Sequence, residues 1–250
     1  MKSMPESHRS LLEIAQQSAN GQSAEQSWQA INAACNEIGI LGIGYGFFPI
    51  KKEAELYGNS SAFFIHSYSQ EWMDSLDSKK ELENDISVDA VLTGRKITFW
   101  NGDMAKYKAN SAQIQQRQME IDIGLQQGVT MALLDDGLSF CALGINAGNI
   151  TDMAFMDLWQ KHRTSIMQLG HLLDETLRQQ NPGKLVQLAP RKQDALTYFA
   201  LGLRAVEVAD CLRISEKTLE KYVYNAKRKL RAKTRDHAIV KAVKLRLLQP

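Results

Sequence analysis

Residues Ser215 to Leu230 read SEKTLEKYVYNAKRKL, and this stretch decides what the last quarter of the chain is. Ser215 carries a hydroxyl suited to an orphan backbone N–H of a first helical turn. Leu219, Val223, Ala226 and Leu230 recur at four- and three-residue steps, so the spacing predicts a capped helix with one apolar face. The other sides hold Lys217, Lys221, Tyr224, Asn225, Lys227, Arg228 and Arg231, a surface that suits phosphate. Just upstream, Val206 to Leu212 predicts a shorter helix, and Arg213 and Ile214 leave only a tight connection between the two. Such a pair is a helix-turn-helix, whose second helix lies in the major groove. A basic amphipathic helix alone is better read as a solvated surface; the ordered pair with its cap favours DNA.

Charge separates this region from the rest. The chain has 250 residues, with 30 Lys and Arg against 28 Asp and Glu. From Leu185 onward there are 15 basic and 6 acidic residues, a net +9, while the preceding part has 15 basic and 22 acidic, a net −7. Only the tail is built to approach a polyanion. The length suits one large or two modest domains, and 44% apolar residues suffice for a core. Cys35, Cys141 and Cys211 are scattered and odd in number, which points to a reducing compartment. The N-terminus MKSMPESHRSLLEI has no apolar signal segment, and no run reaches the roughly 18 apolar residues of a membrane span. A cytoplasmic protein without membrane contact is expected.

Taken in order, helices are expected over Ser10–Ala19 and Ser23–Ile38, the latter burying Trp28, Ile31 and Ala34 or Cys35. Short aromatic strands follow at Gly42–Ile50 and Ser60–His66, separated by a charged hairpin-like loop, Lys51–Gly58. Ser69–Leu76 and Glu83–Leu92 read as short helices, Lys96–Trp100 as a strand, and Ser111–Gln127 as a polar helix stopped by Gly128. Two strands, Val129–Leu134 and Ser139–Asn146, are joined through Asp136-Gly137, a strong hairpin signal. Met153–Leu177 is a long helix with Met156, Trp159, Ile166, Leu169 and Leu173 on one side. Asn181-Pro182-Gly183 ends it. Helices then recur at Arg191–Leu201, with Leu196 and Phe199 inward and Gly202 as its terminal glycine, and at Arg235–Leu247. The expected class is α+β: an α/β/α sandwich on a small, largely antiparallel sheet, plus an all-α unit of four helices. The domains run 1–177 and 188–250, with a linker over 178–187.

At its C-terminal end the chain resembles the LuxR family. The carriers are Leu188 to Arg191, the ALGL turn at Ala200 to Leu203, the run from Val208 to Thr218, Asn225, Lys229-Leu230 and Arg235. Lys192, Leu219 and Tyr222 depart from the usual Glu, Val and His. The match implies that Glu220, Lys221 and Tyr224 face base edges, with Lys217, Thr218, Asn225 and Arg228 nearer phosphates. In the N-terminal half, the spacing of Tyr68, Trp72, Asp85 and Trp100 resembles the autoinducer-binding domain of quorum-sensing LuxR-type receptors, and Gly128 to Met131 resembles its G-x-T strand start. That resemblance implies an acyl-homoserine lactone ligand and no cofactor. Trp72 would donate to the lactone carbonyl, Asp85 accept from the amide N–H, Tyr68 donate to the acyl carbonyl, and Trp100 form an aromatic wall. Ile86, Leu76 and Gly144 replace a usual Pro, Tyr and Ser; Ser87 and Thr130 are the candidates to supply the missing hydrogen bonds. The implied partners are an operator duplex, the autoinducer, a second copy of the chain and RNA polymerase.

Each residue taken singly has a blander role: Tyr68 and Trp100 as core, Asp85 as a helix cap, Glu207, Asp210 and Lys192 as solvated helix faces. Only the joint spacing favours a site. A regulator of the same architecture that senses another molecule, or none, stays open because of positions 76, 86 and 144. An enzyme is not expected: the chain lacks a GxSxG elbow and an HxH cluster, Asp85 has no evident base, and neither catalytic nor metal residues are assigned.

Overall fold

Alternating residues on five short strands divide the N-terminal part into two packed faces. The computed structural model describes residues 24–57, 62–69, 84–101, 107, 109–180 and 182–248. The chain divides into two units, Met1–Asp174 and Glu175–Pro250. In the first, β1 (Gly42–Phe48), β2 (Phe63–His66), β3 (Ile97–Phe99), β4 (Gln127–Asp135) and β5 (Phe140–Gly148) form one sheet in the order β2-β1-β5-β4-β3. Every pairing is antiparallel. Among the described residues its helices are α1 (Ala24–Glu37), α2 (Glu53–Tyr57), α3 (Ile86–Leu92), α4 (Ser111–Asp122) and α5 (Asp152–Asp174).

One face takes α5. Its Phe155, Trp159, Ile166, Leu169 and Leu173 are buried at helical spacing, and Gly170 lies against Leu133 and Leu143 of the sheet. Trp159 meets Phe99 edge-on at 5.7 Å. Tyr45 is fully buried, and its phenol donates to Asp174 Oδ1 at 2.6 Å. The opposite face takes α3, whose Val88 and Val91 pack with Phe48, Phe140 and Ala142.

Several expectations are corrected. The polar helix ends at Asp122, and Gly124, at φ +92°, makes the left-handed step that lets Gln127 enter β4. Gly128 is therefore a strand residue, not the helix stop. The loop after β1 holds the short α2, opened by the bond from the Glu53 N–H to the Ile50 carbonyl at 3.0 Å. Met156 is 39% exposed, because its neighbour Phe155 occupies the inward position. After Asp174 the helical backbone widens into a π-helical stretch, Glu175–Gln180. The expected helix Ser10–Ala19 and nearly all of Ser69–Leu76 lie outside the described residues.

The second unit holds α6 (Pro190–Ala200), α7 (Ala205–Leu212), α8 (Glu216–Lys229) and α9 (Arg235–Lys244). Its core gathers Ala195, Val208, Ala209, Leu212 and Leu219. Gly202 carries φ +89° just past α6, as a terminal glycine should. Glu207, expected to be merely solvated, closes the start of α7 by accepting the Arg204 N–H at 2.7 Å. Arg213 makes the turn between α7 and α8 in the left-handed region, at φ 54°. Lys241 is fully buried and donates to the Arg231 carbonyl at 3.1 Å, tying α9 to the end of α8.

Candidate ligand site and basic helix

The α3 face of the sheet has a floor of small residues. Register places Gly44 opposite Gly144, and Gly144 opposite Thr130, in one row across β1, β5 and β4. A Cβ on Gly44 would stand 2.8 Å from the Tyr68 hydroxyl, and one on Gly144 3.0 Å. The paired glycines thus let a flat phenol lie close above the backbone. Gly128 does the same for Trp100, where a Cβ would fall 2.3 Å from the indole ring. Phe64, His66 and Tyr68 stack in sequence at 5.4 and 5.6 Å.

Above this floor is a cavity of about 60 Å³, bordered by Tyr68, Asp85, Ser87, Trp100, Thr130 and Glu120, with Phe64, Leu125 and Gln116 among its other walls. A directed hydrogen-bond chain runs along it. The Trp100 indole N–H donates to Thr130 Oγ1 at 2.8 Å. Ser87 Oγ lies 2.7 Å from Thr130 Oγ1 and gives its single proton to Asp85 Oδ1 at 2.7 Å. Thr130 must then be the donor to Ser87. Asp85 Oδ1 also accepts the N–H groups of Ser87 at 2.8 Å and Val88 at 3.1 Å, which makes it the N-cap of α3. All these bonds fall on one oxygen; Oδ2 takes none from the described residues.

Five of the six sequence-derived pocket residues, Tyr68, Asp85, Ser87, Trp100 and Thr130, therefore border one cavity. Trp72 lies outside the described residues. Asp85 combines the cap and the cavity wall, two roles that the sequence set against each other. Trp100 is more than a wall, since its N–H begins the chain. The reading missed Gln116 and Glu120, because α4 looked polar throughout. Their four-residue spacing, which puts both on one side of a helix, was the available signal. Glu120 Oε1 accepts from Gln116 Nε2 at 3.1 Å, and Oε2 pairs with Arg117 at 3.2 Å. Burial, then the nearby Asp85, push the Glu120 carboxyl up to about 7, against the pull of Arg117 and Gln116. Burial, Asp85 and Glu120 together also push the Tyr68 phenol upward.

In the second unit, Ser215 Oγ accepts the Thr218 N–H at 3.2 Å and caps α8. Leu219, Ala226 and Leu230 are buried, and Val223 packs against the core. Lys217, Glu220, Lys221, Tyr224 and Arg228 are exposed on the outer side, with Thr218 and Asn225 half-buried beside them. A groove of about 300 Å³ runs along Glu220, Tyr224 and Lys227 toward Phe199 and Arg235.

The autoinducer binding domain family matches residues 23–177, and the bacterial regulatory proteins of the luxR family match residues 186–242. The chain belongs to the LuxR family of quorum-sensing regulators. As a LuxR-family member it is a ligand-responsive transcriptional regulator, with a DNA-binding helix-turn-helix and a domain for a small molecule. The transcriptional activator CarR of Pectobacterium carotovorum subsp. carotovorum is 25% identical over 221 residues, spanning 84% of this chain and 88% of that one. BjaR1 of Bradyrhizobium diazoefficiens, also a transcriptional activator, is 30% identical over 74 residues, covering 30% and 31%. In fold, the chain is similar to CepR2 of Burkholderia cenocepacia, an N-acylhomoserine lactone-dependent factor (TM-score 0.54, 14% identity, 72% and 99% covered). It is also similar to SdiA in complex with octanoyl-rac-glycerol (TM-score 0.53, 15% identity, 99% of each chain). No helix among the described residues is long and apolar enough to cross a membrane.

Proposed function

We propose that this LuxR-family regulator is a homodimeric receptor for an acyl-homoserine lactone, with the ligand in residues 1–177 and DNA on residues 188–250. The observation that carries the reading is the chain Trp100–Thr130–Ser87–Asp85 beside a largely apolar cavity, which leaves one Asp85 oxygen without a donor among the described residues. The lactone's amide N–H completes Asp85, its acyl carbonyl takes the Tyr68 hydroxyl, and its ring carbonyl takes Trp72. The cavity of about 60 Å³ is well below the roughly 300–1,000 Å³ of drug-sized ligand pockets. Its walls must part to admit an acyl chain, so binding and ordering of the domain are coupled. Paired basic helices then read two half-sites, as two-fold operators require, and RNA polymerase is the partner at the promoter.

The test is mass spectrometry of an organic extract from protein expressed with a mixture of acyl-homoserine lactones, beside Trp72→Ala and Asp85→Ala. One intact lactone, retained by the native chain and absent from both variants, supports the reading and excludes lactone hydrolysis. Soluble native protein carrying no lactone overturns it. A second reading, in which the acyl group bears another polar head, is favoured by the extra carboxyl of Glu120. The octanoyl-rac-glycerol held by SdiA, which shares the fold, illustrates such a ligand.

A further inference from the structure

The cavity holds more hydrogen-bond acceptors than a plain acyl amide satisfies. Asp85 Oδ2 accepts no hydrogen bond from the described residues, and in the same cavity lining Glu120 brings a second carboxyl whose two oxygens each hold one bond among the described residues, from Gln116 and Arg117. A carboxylate oxygen has room for two. The Glu120 side chain is only 18% exposed, so water is a poor substitute partner. One amide N–H serves Asp85 and leaves Glu120 facing apolar chain, an arrangement that costs the desolvation of a polar group. Glu120 acts electrostatically on Tyr68, the residue expected at the acyl carbonyl. Tyr68 and Glu120 also line the same cavity, so in the acyl-ligand reading the position beside Glu120 falls to the first carbons of the acyl chain.

We propose that Glu120 determines specificity by accepting a hydrogen bond from a hydroxyl on the proximal part of the ligand's acyl chain, so that the receptor selects hydroxylated over unsubstituted acyl groups. This rests on the reading of the cavity as an acyl-ligand site. The titratable and charged groups that face the carboxyl, among the described residues, are Asp85 at the start of α3, Tyr68 after β2 and Arg117 on α4 itself. A hydroxyl donor favours the ionised carboxylate, whereas a plain chain disfavours it. The preference therefore grows as pH rises through about 7.

The experiment measures binding of matched pairs, N-acyl-homoserine lactones from hexanoyl to dodecanoyl and their β-hydroxy counterparts, to the full chain one pH unit either side of about 7. The native chain is expected to prefer the hydroxylated member roughly tenfold on the alkaline side, the worth of one hydrogen bond to a charged group, and less on the acid side. Glu120→Leu abolishes the preference. Glu120→Gln, the closer match in shape should the leucine variant not fold, retains a preference that no longer changes with pH. Equal binding of both members by the native chain, or an unchanged preference in both variants, overturns the role of Glu120 while the lactone reading stands. Binding of no lactone at any length overturns the lactone reading and this inference together.

Discussion

Single atoms inside the first unit already carry measurable consequences. Thr98 is fully buried opposite Thr130, and its hydroxyl has no hydrogen-bond partner among the described residues. Replacing an unsatisfied hydroxyl by a methyl of similar shape removes a desolvation cost, so Thr98→Val should stabilise the protein by about 1 kcal/mol, read from urea unfolding with an unchanged denaturant slope. Glu120 gives a pH signature. Its carboxyl sits at about 7 in the fold against an ordinary 4.5, so the folded chain holds that proton more tightly than the unfolded one. The stability it lends is complete below about 4.5 and is lost as pH rises through about 7. Glu120→Gln should flatten the stability profile across that window; a profile identical to that of the native chain would rule the assignment out.

At the scale of elements, the glycine row of the sheet and the outer side of α8 are the two decisive surfaces. Gly44→Ala puts a methyl where the Tyr68 hydroxyl lies 2.8 Å away. An overpacking cost of roughly 1–3 kcal/mol should appear as a lower melting temperature and weaker retention of ligand. On α8, Lys221→Ala should weaken DNA binding evenly across sequences and lower the salt slope by about one. Glu220→Ala should instead relax base preference, since a carboxylate in the groove accepts from cytosine N4. Selection from a randomised operator that returns the native motif would remove Glu220 from the reading set.

The whole molecule consists of two units that differ in charge and in core, and only the first surrounds the cavity. A ligand at 100 times its dissociation constant adds about 2.7 kcal/mol to the state that binds it. Calorimetry should therefore show a ligand-dependent rise in the transition of the first unit and none in that of the second. A shift of both transitions would mean that the units unfold as one.

Much of this organisation was legible from local pattern. The four C-terminal helices could be read because caps, terminal glycine and apolar spacing act within a few residues of one another, and the Asp136-Gly137 hairpin signals itself in the same way. Tyr68, Asp85 and Trp100 could be listed through a spacing that resembles the family's, and Ser87 and Thr130 as polar residues able to supply the hydrogen bonds missing at other positions. What remained hidden depends on residues far apart in sequence. Gly124 rather than Gly128 ends α4, because Gly128 is claimed by the Trp100 ring. Gln116 and Glu120 looked like solvated helix polars until the fold set one side of α4 at the cavity. The direction of the Trp100-to-Asp85 chain likewise needed β3, β4 and the start of α3 in register. Helical periodicity and capping are short-range properties of the backbone, whereas a cavity and its proton order come only from elements packed against each other.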